Sequence, residues 1–133
     1  MGGHELLEHT ADVGIRAWGD DLEGALAEAG RALVELMGCA ASSVTGTRRL
    51  LVAGDDPGAL LVGLLDELIF VCESGDGVRD VAVSRTDEGL LASAEVGPPD
   101  PAAEGLEVKA ATFHQLAVDE RADAVEVRVF LDV

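Results

Sequence analysis

Tyrosine is absent from this chain of 133 residues, and the other aromatic side chains are one tryptophan and three phenylalanines. Hydrophobic residues still make up 48% of the sequence, which is enough for a core. Because aromatics are so few, that core must be built from Leu, Val and Ala. The length fits one domain, residues 1–133, and leaves little room for a second.

Basic residues are also scarce: nine Lys and Arg residues stand against 26 Asp and Glu, which gives a formal net charge of -17. Nucleic-acid affinity rests largely on Lys and Arg, so this composition argues against stable binding of RNA or DNA by the chain alone. The charge favours a basic protein partner or a divalent cation. It fits equally well a protein that stays soluble in a salty cytoplasm.

The common motifs of self-contained enzymes are missing. There is no Gly-x-x-x-x-Gly-Lys loop, no Gly-x-Gly-x-x-Gly, no Gly-x-Ser-x-Gly elbow and no His-Glu-x-x-His, and no EF-hand calcium loop occurs. The most apolar run, residues 58–65, stops at Asp66 and is far too short to span a bilayer. We therefore expect no nucleophile-based catalysis, no organic cofactor and no membrane association.

Cysteine is limited to Cys39 and Cys72, which do not form a Cys-x-x-Cys motif. Two isolated cysteines predict reduced, half-buried thiols and a reducing, cytoplasmic location. His4 and Glu5 interrupt any apolar segment that could act as an N-terminal signal, and we expect His4 to lie in a frayed terminus.

Two helices are predicted. The first follows Asp20, a predicted N-cap with Glu23 as its capping-box partner, and ends at Gly38. The second begins at Asp56, with Pro57 at its first helical position. Each helix carries an apolar stripe that we expect to face a sheet, formed by Leu22, Leu26, Ala29 and Leu33 in the first and by Leu61, Leu64, Leu65 and Leu68 in the second.

Alternating apolar residues and turn signals predict strands around these helices, near residues 13–19, 50–53, 81–83, 90–96, 108–118 and 125–131. The order is strand, helix, strand, helix and then a run of strands. This order predicts an α+β fold, a two-layer sandwich in which two helices pack on one face of a mostly antiparallel sheet.

Asp12 and Asp132 are isolated aspartates within apolar strand segments near the two ends of the chain. A bare carboxylate is costly to bury, so such a residue tends to face solvent, pair with a cation or bind a metal. If the two strands meet, the carboxylates could share one hard divalent cation, and the carboxylate of Val133 could add another oxygen ligand. Composition alone does not show whether they meet.

Lys109 is the only lysine in the chain, and its compact ammonium differs chemically from the guanidinium of arginine. It is either a functional cation or a charge on the solvent face of a strand. His9 and His114 are candidate metal ligands or acid-base groups, and each could equally be a hydrogen-bonded structural histidine.

Four segments resemble, in the same order, those of the archease family: His-Thr-Ala-Asp-Val-Gly-Ile at 9–15, Leu-Leu-Asp-Glu-Leu at 64–68, Val-Lys-Ala-Ala-Thr-Phe-His at 108–114 and Asp-Val at 132–133. The departures are mild: Phe113 stands where the family often has Tyr, Ala111 where Val is frequent and Asp66 where Asn is common. None of them removes a charged or metal-binding position.

The resemblance implies an SHS2-like α+β fold and a role as activator of the RtcB-type RNA-splicing (tRNA) ligase, which uses GTP and a divalent metal. The family is thought to promote guanylylation and multiple turnover of that ligase, not to ligate RNA itself. By resemblance, Asp12, Asp132 and Val133 form an acidic metal site for calcium, magnesium or manganese. Lys109 belongs to the same functional cluster, with His9 and His114 as supporting candidates.

Two other functions compete with this one. The first is a general chaperone or interaction module for nucleic-acid-modifying enzymes, in which the acidic surface matters and the aspartates do not. The second is a metal-dependent hydrolase, which is weaker because no set of base and nucleophile is visible.

Overall fold

A computed structural model of the protein describes residues 1–8 and 12–133. Its elements, in chain order, are β1 (Gly3–Glu8), β2 (Asp12–Gly19), α1 (Leu22–Met37), β3 (Gly46–Ala53), α2 (Pro57–Glu73), β4 (Gly77–Arg85), β5 (Gly89–Gly97), β6 (Ala110–Glu120) and β7 (Val125–Asp132).

The strands form two sheets. One has four strands in the order β1-β2-β7-β6, and the other has three in the order β3-β5-β4. All pairings between these strands are antiparallel. The predicted α+β class, with two helices packed on antiparallel strands, is confirmed. The strands divide between two sheets because β3 and β4 both pair with β5, whereas β7 pairs with β2 and β6.

Both helices contact strands of both sheets, so the two sheets and the helix pair share one core. α2 is apolar around most of its circumference, as expected for a helix with sheet strands on more than one side. The two predicted stripes are buried, since none of their eight residues is more than 5% exposed.

The ends of the helices follow local side-chain chemistry. α1 begins after Asp21, whose carboxylate accepts a hydrogen bond from the Gly24 amide at 2.8 Å. The predicted cap, Asp20, is therefore wrong by one residue, because two adjacent aspartates offer the same oxygen. Gly38 ends α1 as predicted, at a φ of 64° that favours glycine. Asp56 caps α2 as predicted, accepting from the Ala59 amide at 2.9 Å.

The N-terminal segment is ordered as a strand, which the sequence did not predict. β1 pairs along its length with β2. The expectation of a frayed His4 is wrong: its Nδ1 lies 3.2 Å from a Glu28 carboxylate oxygen and its Nε2 lies 3.1 Å from one of Glu35. Both carboxylates belong to α1, so the histidine ties this edge strand to the helix.

The expectation of two free thiols is also wrong. Cys39 and Cys72 form a disulfide, with their Cα atoms 6.0 Å apart. Cys39 follows the end of α1 and Cys72 lies in the last turn of α2, so the bond joins the C-terminal ends of the two helices. Their separation of 33 residues gives no hint of this contact in the sequence.

No helix in the described ranges is both long enough and apolar enough to cross a bilayer.

Candidate functional site

Asp12 and Asp132 lie directly opposite each other on neighbouring strands. β2 and β7 pair in a register that matches Asp12 with Asp132 and continues through Ile15 and Val129. Opposed residues in an antiparallel pair have Cβ atoms about 4.5–5.5 Å apart and project to the same face. The two strand segments that carry these aspartates therefore meet, as the sequence analysis expected.

The alternation of β2 and β7 explains why both carboxylates face away from the core. Ile15 and Ala17 on β2, and Val129 and Leu131 on β7, are completely buried. Residues at even positions of the same strands therefore project from the opposite, outer face of the sheet. Asp132 is exposed there, and Asp12 is partly exposed.

Lys109 lies beside the aspartates, immediately before β6. Its backbone amide donates a hydrogen bond of 2.8 Å to the carbonyl of Asp132, and the next residue, Ala110, is paired with Asp132. The predicted strand therefore begins one residue later than Lys109, although the hydrogen-bond ladder includes it. The side chain is exposed, and it forms no ion pair within residues 1–8 and 12–133.

Asp66 supports this arrangement from α2, a role that sequence reasoning missed. Its Oδ1 accepts a hydrogen bond of 3.0 Å from the backbone amide of Ala111. β6 is an edge strand, so an amide that does not face β7 needs another acceptor. Asp66 thereby fixes the start of β6 against α2. A charged residue within the apolar Leu-Leu-Asp-Glu-Leu segment was the available signal.

The remaining candidates contribute less to this geometry. Val133 follows β7 and is 38% exposed. His114 lies in the irregular part of β6, where the register with β7 is broken, and is exposed. Its ring makes no hydrogen bond to another residue of the described chain. His9 lies outside the described residues, so its place relative to the aspartates stays a prediction.

The donor set suits a hard divalent cation. It offers carboxylate oxygens, which calcium and magnesium prefer, and no thiolate or imidazole in the described part of the site. Among the described residues, no group of three or more His, Cys, Asp or Glu side chains is arranged so that it could hold a metal ion. Two opposed carboxylates fit an ion that keeps several waters, as magnesium does with one or two protein carboxylates.

These features define a class: a small α+β protein whose four-stranded antiparallel sheet carries two opposed aspartates, with a lysine directly before the neighbouring edge strand. The sequence pattern of the archease protein family matches residues 4–133. The chain belongs to the archease family.

Named relatives extend this match over the whole chain. The archease of Methanothermobacter thermautotrophicus is 32% identical over 142 residues, covering 100% of both chains. An archease-like protein of Drosophila melanogaster is 32% identical over 140 residues, covering 98% of this chain and 90% of the relative.

Two solved structures share the fold. The solution structure of protein 1598 from Methanobacterium thermoautotrophicum has a TM-score of 0.73 at 28% identity, over 98% of this chain and 99% of that one. The crystal structure of an archease from Thermotoga maritima, described as a possible chaperone, has a TM-score of 0.69 at 23% identity, over 96% and 94%.

Proposed function

We propose that this protein is an accessory activator of an RtcB-type RNA-splicing ligase, and that it promotes guanylylation and repeated turnover of that enzyme without catalysing ligation itself. The observation that carries the proposal is the register that opposes Asp12 and Asp132, together with the backbone hydrogen bond that places Lys109 next to Asp132. Its proposed setting is the cytoplasm, although the disulfide removes the free thiols on which that expectation rested.

Each residue has a distinct proposed role. Asp12 and Asp132 would hold a divalent cation, calcium or in function magnesium or manganese, which would supply positive charge next to a nucleotide phosphate. Val133 is the proposed source of a further oxygen ligand. Lys109 is exposed beside the pair, so its ammonium can reach a phosphate or a carboxylate of the partner. Asp66 would act as a positioning residue, because it holds the start of the strand that directly follows this lysine.

The net charge of -17 supports a protein partner over direct contact with RNA. Long-range attraction between this acidic surface and a basic nucleotide-binding region would speed their encounter. Stable nucleic-acid binding by this chain alone is not part of the proposal, because its acidic surface repels phosphates and its few Lys and Arg residues do not offset that repulsion.

A second candidate is a general chaperone or interaction module for nucleic-acid-modifying enzymes. One observation favours it: Leu51 is 75% exposed and Phe70 is 60% exposed, so apolar side chains are available on surfaces other than the aspartate site. In that case the aspartates would be dispensable for function.

A ligation assay tests the proposal. The cognate ligase is incubated with GTP, divalent metal and RNA ends, with this protein present in sub-stoichiometric amounts. We expect the wild-type protein to raise ligase guanylylation over repeated cycles. Asp12→Ala and Lys109→Ala should abolish this stimulation while remaining folded, because neither side chain belongs to the core.

Glu95→Gln is the matched control, because Glu95 is an exposed strand carboxylate in the other sheet. It should stimulate as well as wild type. If Asp12→Ala and Lys109→Ala also stimulate fully, the mechanism assigned to this site is wrong and the interaction-module function takes its place.

A further inference from the structure

β6 leaves the regular ladder in its middle. Its residues pair with β7 up to Thr112, opposite Phe130, and pairing resumes at Ala117, opposite Arg128. The four residues 113–116 therefore face the single residue Val129. A bulge of this size bends an edge strand and redirects its side chains.

The bulge contains strained backbone. Gln115 has a φ of 54° and is the sole non-glycine residue with positive φ in the described ranges. Such a conformation is uncommon for a side chain of this kind, and it persists only where the surroundings hold it. Leu116 holds the bulge in place by packing against α2. The packing is close, since a Cβ atom added at Gly58 of α2 would lie only 2.9 Å from the Leu116 side chain.

Phe113 lies in this strained segment and is exposed to solvent. Its side chain is 64% exposed, in a chain that has only three phenylalanines. A single exposed leucine on a regular strand requires no explanation. Here, however, an aromatic side chain is left in solvent by a bulge that costs free energy to form, so the pair of observations points to a use.

The bulge also adjoins the site described above. It begins directly after Thr112, whose hydroxyl donates to the carbonyl of Phe130 at 3.0 Å, and Thr112 is two residues from Ala110, the partner of Asp132. Lys109 and Phe113 thus lie four residues apart at the start of the edge strand β6, next to Asp132 on the neighbouring strand β7.

We propose that Phe113 is the docking anchor of this protein, and that it inserts into an apolar pocket of the ligase beside its nucleotide site. This inference rests on the proposed function. Buried aromatic anchors carry much of the energy of protein interfaces, and nearby polar groups contribute orientation and specificity. The acidic surface attracts the partner, Phe113 holds it, and Lys109 with the aspartates then lies next to the nucleotide.

The test separates binding from stimulation. Binding of the intact protein to the purified cognate ligase is measured by calorimetry, and guanylylation is measured across a titration of the protein. Phe113→Ala should weaken binding at least ~10-fold, about 1.4 kcal/mol. Stimulation at saturating protein should stay near the wild-type level, since the aspartates and Lys109 are unchanged. Phe113→Tyr should restore most of the affinity.

Leu51→Ala is the matched control, because Leu51 is an apolar residue on β3 of the other sheet and is even more exposed than Phe113. It should bind like wild type. Two variants of Gln115 test the role of the bulge with Phe113 intact. Gln115→Gly accepts a positive φ and should bind normally, whereas the β-branched Gln115→Val should disfavour the bulge and weaken binding.

The outcomes are distinguishable. If wild type stimulates the ligase but Phe113→Ala binds as tightly as Leu51→Ala, the docking inference is overturned and the proposed function stands. If wild type neither binds nor stimulates, the proposed function fails and this inference fails with it. Loss of stimulation by Phe113→Ala even at saturation would also overturn it, because Phe113 would then act in activation and not in docking.

Discussion

Removing one of the two opposed aspartates should stabilise the protein in a chelator and destabilise it relative to wild type in calcium. Two carboxylates about 5 Å apart in water repel by about 0.8 kcal/mol, and directly opposed like charges in sheets cost about 0.2–1 kcal/mol. The register of β2 and β7 imposes this opposition on Asp12 and Asp132. Asp12→Asn should therefore raise the free energy of unfolding by about 0.5 kcal/mol in EDTA, and less at high salt.

A bound cation reverses the order. At a calcium concentration of 100 times Kd, a ligand that binds only the folded state adds about 2.7 kcal/mol. Wild type should gain this increment, and Asp12→Asn should gain much less because it lacks one anionic ligand. The assay is urea denaturation with and without calcium, at a constant m-value.

Glu95→Gln is the control that separates loss of the repulsion between Asp12 and Asp132 from the general effect of lowering the negative charge of the protein by one. Glu95 is opposed by Asp80 in the β4–β5 register, so its replacement also removes one carboxylate from a like-charged strand pair. Its calcium response should match that of wild type. The reasoning would be refuted if calcium stabilised wild type and Asp12→Asn equally, or if Asp12→Asn were less stable in EDTA.

Three further predictions concern the fold. Leu65→Ala should lower the free energy of unfolding by about 2–5 kcal/mol, since Leu65 is fully buried; a loss near zero in denaturant titration would contradict its place in the core. The hydrogen bond from Arg31 lowers the pKa of Asp80, and the charge of Arg31 and a backbone amide act in the same direction. The stabilisation from this ion pair is therefore present above the unfolded pKa of about 3.9 and is lost as the pH falls through the folded pKa. Asp80→Asn should therefore melt below wild type at pH ~7, and the difference in melting temperature should shrink as the pH falls below about 3.9. A difference that does not shrink in acid would count against the ion pair. Cys72→Ser opens a loop of 33 residues and should cost about 3.7 kcal/mol by chain entropy, and thiol titration of the unfolded wild-type protein should find no free thiol until a reductant is added.

The sequence predicted the helices and most strands because their signals are local. Apolar spacing and the Asp56 cap act within one or two turns, and the structure confirms them. The start of α1 was predicted only to within one residue, because the adjacent Asp20 and Asp21 offer the same capping carboxylate. β1 was missed because its polar side chains conceal its pairing with β2, which is a contact between segments.

The opposed positions of Asp12 and Asp132 could be predicted from the sequence, whereas the contacts that support the surrounding segments could not. The isolation of Asp12 and Asp132 in apolar segments marked both positions, and the pairing of β2 with β7 brings them together. By contrast, the bond from Ala111 to Asp66 and the disulfide join segments far apart in the chain. No pattern within either segment reports its partner, because such contacts depend on how the helices lie against the sheets.

β7 links the folding of the chain to its proposed activity, because it completes the four-stranded sheet. β7 lies between β2 and β6, so the sheet is not continuous until residues 125–132 have been inserted. Pairing of such distant segments is slow relative to local structure, because a long loop must close before any contact forms. A partly folded chain, with both helices formed and β7 still outside, would have neither the facing aspartates nor the amide ladder that holds Lys109. Under the proposed activator function, such a molecule could not stimulate the ligase, so stimulation would report that the chain has folded to its last strand.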